Sequence, residues 1–189
     1  MANTIQPIRK SHARLYKLTD ANLCTHGGYQ WVIGETRETS GTGPLCASGW
    51  LHAYSHPDIA ILLNPIHADY RPCRLFEAEG SGIYLSDQSL KVGVSRLRLL
   101  RELPVPVFSA WERAAWAVFV VRSTPGRTSI PQWEEWADQF LAAGPQAVGA
   151  AWAAANAAAA AAAAPDTTFS LLRPHAEFLA WRQSHRQIE

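Results

Sequence analysis

The spacing of the apolar residues changes at one place, and that place divides the chain. Up to Leu103, polar and apolar residues alternate in short runs broken by glycine-containing turns. From Ser109 onward, Trp, Ala and Glu recur at helical spacing. Between them lies "LPVPVF" (Leu103–Phe108), where Pro104 and Pro106 each turn the preceding residue away from the helical region, which makes an extended connector. A period of two suits a strand and a period near 3.6 suits a helix, and neither pattern packs well as the other. The expected fold is therefore α+β: residues 1–106 form a small, mostly antiparallel sheet with one inserted short helix, and residues 107–189 form C-terminal helices rich in Ala and Trp.

Within the first part, "ARLYKL" (Ala13–Leu18), "YQWVIG" (Tyr29–Gly34, after the Gly27-Gly28 turn), "CRLFEAEG" (Cys73–Gly80) and "KVGVSRLRLLREL" (Lys91–Leu103) read as strands. The last is the clearest, with Arg96 and Arg98 on one face and Leu97 and Leu99 on the other. "SHPDIAILLN" reads as a helix: Ser55 or His56 precedes it, Pro57 suits the first helical position and Asp58 the positive helix end. Asn64-Pro65 is expected to end it. In the second part, Ser109 with Glu112 makes a capping box before "AWERAAWAVFVVR", Ser129 and Pro131 open "PQWEEWADQFLAA", and Gly144 closes it. The alanine run Ala157–Ala164 is expected to be helical up to Pro165. Alanine is only weakly apolar, the stretch contains Gly149 and Asn156, and no basic flank adjoins it, so it reads as a lightly packed tail helix and not a membrane span.

Composition removes several classes of function. Hydrophobic residues make up 48% and charged residues 17%, which excludes a disordered chain. A net charge of +1 supplies no field that would draw nucleic acid or anionic lipid. Lys91, Arg96, Arg98 and Arg101 read as a solvated strand face. Three cysteines, Cys24, Cys46 and Cys73, make no disulfide framework, and no secretory signal is read at the N-terminus, so a cytoplasmic location in a bacterial host is expected.

No motif decides the chemistry. Cys24, His26, Cys46, His52, His56 and Cys73 have zinc-ligand side chains, but no CxxC pair occurs, and no metal or other cofactor is expected. Cys46, His52 and Asp58 supply nucleophile, base and acid types without a nucleophile-elbow signature. "GSGIYLSDQS" and "SGTGP" match neither phosphate-binding loop pattern. The densest stretch is "GWLHAYSHPDIAILL", where a strand would carry Trp50, His52 and Tyr54 on one face. They form either a packed corner or the wall of a pocket.

Three blocks together resemble a known family. "YKLTDANLCTHGGYQWVIGE", "GPLCASGWLHAYSHPDIAILLNPIHADYRPCRLFEAEG" and "SDQSLKVGVSRLRLLRELPVP" resemble, from Tyr16 to Pro106, a domain-of-unknown-function family of phages and their bacterial hosts, in which an Ala- and Trp-rich helical tail is also usual. Thr25-His26 before the glycine pair is a local variation. That resemblance implies a phage or prophage accessory protein acting inside the host cell. The expectation is a non-catalytic protein that binds a host protein, a defence or regulatory component, through Trp111, Trp133 and Trp136, with self-association through the C-terminal helices. The alternative is a degenerate ADP-ribosyltransferase-like enzyme or nucleotide-binding module. It would gather Trp50, His52, Tyr54 and the late glutamate Glu102 in one cleft, although the early His or Arg of such folds is missing where Tyr16 is followed by Lys17.

Overall fold

The structure, a computed structural model, describes residues 8–87, 91–123, 131–147 and 172–185. The fold is α+β, an antiparallel sheet followed by helices, and the chain divides into two compact units, Met1–Pro106 and Val107–Glu189.

The first unit is built on three long strands: β1 (Ile8–Asp20), then, after four short strands and a helix, β6 (Cys73–Asp87) and β7 (Lys91–Leu103). The short strands are β2 (Cys24–Thr25), β3 (Tyr29–Gln30) and β4 (Thr36–Glu38); β5 (Leu51–Ala53) precedes the helix α1 (Pro57–His67). The order is β1-β6-β7, with β4 and β5 sharing the far edge of β7: Arg37 pairs with Leu97, and His52 with Gly93. Just after β5, Tyr54 N and O both bond Tyr16 at 2.8 Å, so the sheet curls until its two edges meet at β1. Register shifts at Lys10/Ala13, Glu77/Ala78 and Ser81/Tyr84 allow the bend, because each bulge adds local twist.

Inside the curl lie Leu15, Trp31, Leu51, Ala53, Phe76, Ala78, Val92, Val94, Leu97 and Leu99. On the outer face Glu77 pairs with Arg14 and Arg101, both at 2.7 Å, which ties three strands crosswise. The helix α1 packs against β1 and buries Ile59–Leu63. His56 caps its start by accepting from Asp58 N, with Pro57 in the first turn, as its sequence indicated. Its end differs from expectation. The helix runs through Pro65 to His67, because a proline in the last turn forgoes only one hydrogen bond. Asn64 then ends it: its O accepts from Ala68 N and Asp69 N, and its side-chain amide bonds both N and O of Tyr70.

In the second unit, α2 (Ala110–Arg122), α3 (Pro131–Ala143) and α4 (Leu172–His185) are described. The capping box forms as expected: Ser109 Oγ accepts from Glu112 N, and Glu112 returns a bond to Ser109 N at 2.7 Å. The rings of Trp111 and Trp181 lie 4.6 Å apart, with Phe119 and Phe178 alongside, and Arg182 bonds Glu112 and Val107 O. Gly144, at φ 71°, ends α3. Ser129 and the Ala157–Ala164 run lie outside the described residues. Among the described residues no helix is long and apolar enough to cross a membrane.

Candidate functional site

A cavity of about 470 Å³ opens in the first unit, within the usual size range for small-molecule sites. Its wall begins with the "GWLHAY" stretch. Trp50 Nε1 donates to Gly43 O at 2.9 Å, and His52 Nε2 donates to Leu45 O, so both rings hold the loop before β5 against the sheet. Only glycine suits the neighbouring position on β7: a Cβ on Gly93 would stand 2.6 Å from Leu45 Cδ1 and 3.1 Å from Trp50 Cβ. Because Nε2 carries the hydrogen given to Leu45, the Nδ1 of a neutral His52 ring is a bare acceptor. Burial, followed by the nearby Lys91 and Lys17, holds that ring below the ordinary histidine range, with the Leu45 bond opposing.

Lys17 is the residue that the sequence did not single out. Strand alternation puts Ala13, Leu15 and Lys17 on one side of β1, the side that faces the core. Lys17 is 8% exposed, donates to His52 O at 2.6 Å and stands 5.1 Å from the centre of the Trp31 ring. Burial, reinforced by the charge of Lys91, pulls its pKa down to about 7. Tyr16 and Leu18 are also apolar, so alternation alone did not show which parity of β1 faces inward.

The rest of the lining is aromatic and polar, with Tyr29, Trp31, Tyr54, His67 and Tyr70 contributing rings. Tyr54 stacks on His67, and Tyr54 Oη lies 3.4 Å from His67 Nδ1. Burial, then Lys91 and His52, pulls His67 down to about 4, so it is neutral at pH 7, while burial and then Tyr70 raise the Tyr54 phenol. Trp31 Nε1 donates to Thr25 Oγ1 at 3.0 Å, and Lys91 Nζ lies 3.4 Å from Cys46 Sγ. Thr39 Oγ1 is buried at the lining with no hydrogen-bond partner among the described residues. Buried hydroxyls normally have a partner, so this one is an unused hydrogen-bonding group in a residue that lines the cavity.

No family model, curated protein or solved structure matches this chain.

Of the candidate residues, Trp50, His52 and Tyr54 come together in the cavity wall, whereas Glu102 does not line it. Glu102 forms a two-bond pair with Arg74, at 2.9 and 2.6 Å, on an exposed stretch of β7, and that partner holds its carboxyl below the ordinary range. Its place is set by cross-strand pairing, with Glu102 opposite Phe76 near the strand end. Glu102→Gln is expected to leave both the melting temperature and ligand binding in the cavity nearly unchanged, since exposed ion pairs contribute little. A titration in which this variant lost binding would return Glu102 to the site.

Of the three tryptophans expected to bind a partner, two are packed within the second unit. Trp111 is buried at 8% exposure under Trp181, because the aromatic stripe of α2 meets that of α4. Trp136 is half-buried and stacks on Phe140 at 5.3 Å. The side chain of Trp133 lies outside the described residues. On β7 the basic row is partly neutralised, with Arg96 paired to Glu38 and Arg101 to Glu77. All three cysteines are free thiols.

Proposed function

We propose that the first unit binds a small organic anion with a planar ring in this cavity. One observation carries the reading. Among the described residues, the lining holds two lysines, three histidines and several aromatic rings, but no carboxylate. An aromatic wall accepts a flat ring. Lys91, and Lys17 in its protonated fraction, have no opposing carboxylate in the lining and favour a negative charge, more strongly where water is scarce. The Thr39 hydroxyl adds a place for a polar contact.

Trp31 and Trp50 line the cavity, so binding reports itself in tryptophan fluorescence. The test is a titration with 4-methylbenzoate and with its uncharged isostere 4-methylbenzamide. The benzoate is expected to quench saturably, the amide to bind at least about tenfold more weakly, and Lys91→Gln to weaken the benzoate by a similar factor, roughly one charged contact. Equal binding of acid and amide, or no response to either, would sink the proposal.

The host-protein reading is supported by the resemblance of Tyr16–Pro106 to a phage and prophage family. The anchors it calls on, Trp111 and Trp136, are packed within the second unit, so the cavity is the better-supported site. The ADP-ribosyltransferase-like alternative calls for a carboxylate in the cleft, and none lines it among the described residues.

A further inference from the structure

We propose that Lys17 captures carbonyl-bearing ligands of the cavity as a covalent imine, so that the site accepts planar anions that also carry an aldehyde or ketone. This rests on the binding reading above and goes beyond it by assigning a reaction.

The argument begins with the choice of cation. The chain has fourteen arginines and only three lysines, Lys10, Lys17 and Lys91, yet both cations of the cavity are lysines. Arginine keeps its proton in any protein setting, whereas a buried lysine can lose one and become a nucleophile. Lys17 is 8% exposed, it is one of the residues that line the cavity, and no carboxylate among the lining residues holds it as an ammonium. Its fixed partner is the His52 carbonyl at 2.6 Å. A carbonyl oxygen accepts one N–H and leaves the nitrogen lone pair free to attack carbon. Lys91 is the second cation that desolvated reactive lysines often have beside them, and burial with that neighbour puts Lys17 near neutrality at about 7.

The step balances without a co-reactant. The Lys17 lone pair bonds to the carbonyl carbon while the C=O π pair moves to oxygen. A proton passes from nitrogen to that oxygen, giving a carbinolamine. The C–O bond then breaks as nitrogen forms C=N, and one water leaves with the remaining amine proton. Neither partner is oxidised or reduced.

The probe is 4-carboxybenzaldehyde, which has the ring, the anion and the carbonyl. The full chain is incubated with it, reduced with borohydride and mapped by peptide mass spectrometry. Three lysines make the assignment unambiguous. The adduct is expected at Lys17 in at least about tenfold excess over Lys10 at neutral pH, because burial brings the Lys17 pKa to about 7 and Lys17, unlike Lys10, lines the cavity that holds the aldehyde. Its yield is expected to rise through about pH 7, to fall when excess 4-methylbenzoate is present, and to vanish in Lys17→Arg. Lys17→Met serves as a second blocked variant should the arginine fail to fold. If 4-methylbenzoate binds but no adduct forms at Lys17, or the adduct spreads evenly over the three lysines, the imine proposal is overturned and the binding reading stands. If 4-methylbenzoate fails to bind while Lys17 still reacts selectively, the anion reading falls and the reactive lysine remains.

Discussion

Lys17→Met is expected to stabilise the protein near pH 6 and to lose that advantage as pH rises, becoming slightly less stable than the natural protein above about pH 10.5 where only the missing bond to His52 O counts, with urea unfolding at a series of pH values as the measurement. The buried amine has a pKa of about 7 in the fold against 10.5 when exposed. Between those values the unfolded chain holds a proton that the folded chain has shed, so stability of the natural protein rises with pH across this window. Below about 7 both states are protonated and the full cost of burying the charge is present; above 10.5 neither is, and the cost is gone. At 1.36 kcal/mol per pH unit the ceiling is about 5 kcal/mol. Methionine fills a similar volume, but it loses the bond to His52 O, worth about 1 kcal/mol, and the contact with the Trp31 ring. The net gain near pH 6 is expected at about 2–4 kcal/mol, on the order of 10 °C in melting temperature for a unit of this size. A site that gives up stability in this way to keep an amine is more easily understood as functional than as structural. If Lys17→Met instead destabilises equally at every pH, the lysine is a structural element and its amine is not held near neutrality.

Trp31→Ala is the second large effect. Trp31 is 1% exposed, lies among the core side chains inside the curled sheet, and joins Thr25 through its Nε1. Removing a fully buried tryptophan typically costs about 3–5 kcal/mol, through lost burial and the cavity left behind. That same void adjoins Lys17 and admits water to it, so the amine moves back toward the exposed value of 10.5 and borohydride trapping shifts to higher pH. Trp31→Phe keeps a ring while losing the bond to Thr25, and should cost nearer 1 kcal/mol with a smaller shift of the trapping profile. A loss below about 1 kcal/mol for the alanine variant would mean that Trp31 is not the packed wall described above.

Much of this fold was legible because it is written in local pattern. The alternation of Lys91–Leu103 is long enough to fix a strand whatever surrounds it, and the bounds observed are those expected. The Ser109/Glu112 box marks its helix start through two short-range bonds that need no distant partner. The start of α1 at Pro57 is local for the same reason. Its end was misread because Pro65 looks like a stop, while the Asn64–Tyr70 bonds that end the helix depend on how the following loop folds back. "YQWVIG" was also misread. Only Tyr29–Gln30 pairs as a strand, because Trp31 turns into the core, its N–H bonds Leu23 O and the chain leaves the ladder.

By itself, then, the sequence determined the α+β class, the strand and helix runs whose periodicity is strong, the helix starts, and the shared strand face of Trp50, His52 and Tyr54, but not whether that face is a packed corner or a pocket wall. Tertiary structure alone decided which of these residues share a site. The Tyr16–Tyr54 bridge closes the sheet on itself, and that closure is what sets Lys17 beside the His52 carbonyl and puts Lys91 at the same cavity. Cross-strand pairing of β6 with β7 sets Glu102 in an exposed pair with Arg74, and within the second unit Trp111 packs against Trp181. Alternation along a strand says that successive side chains point opposite ways, but it carries no label for which way is inward when both parities are apolar, as around Lys17. That choice is made by the partners the curled sheet brings in from distant parts of the chain, and with it the lysine's charge.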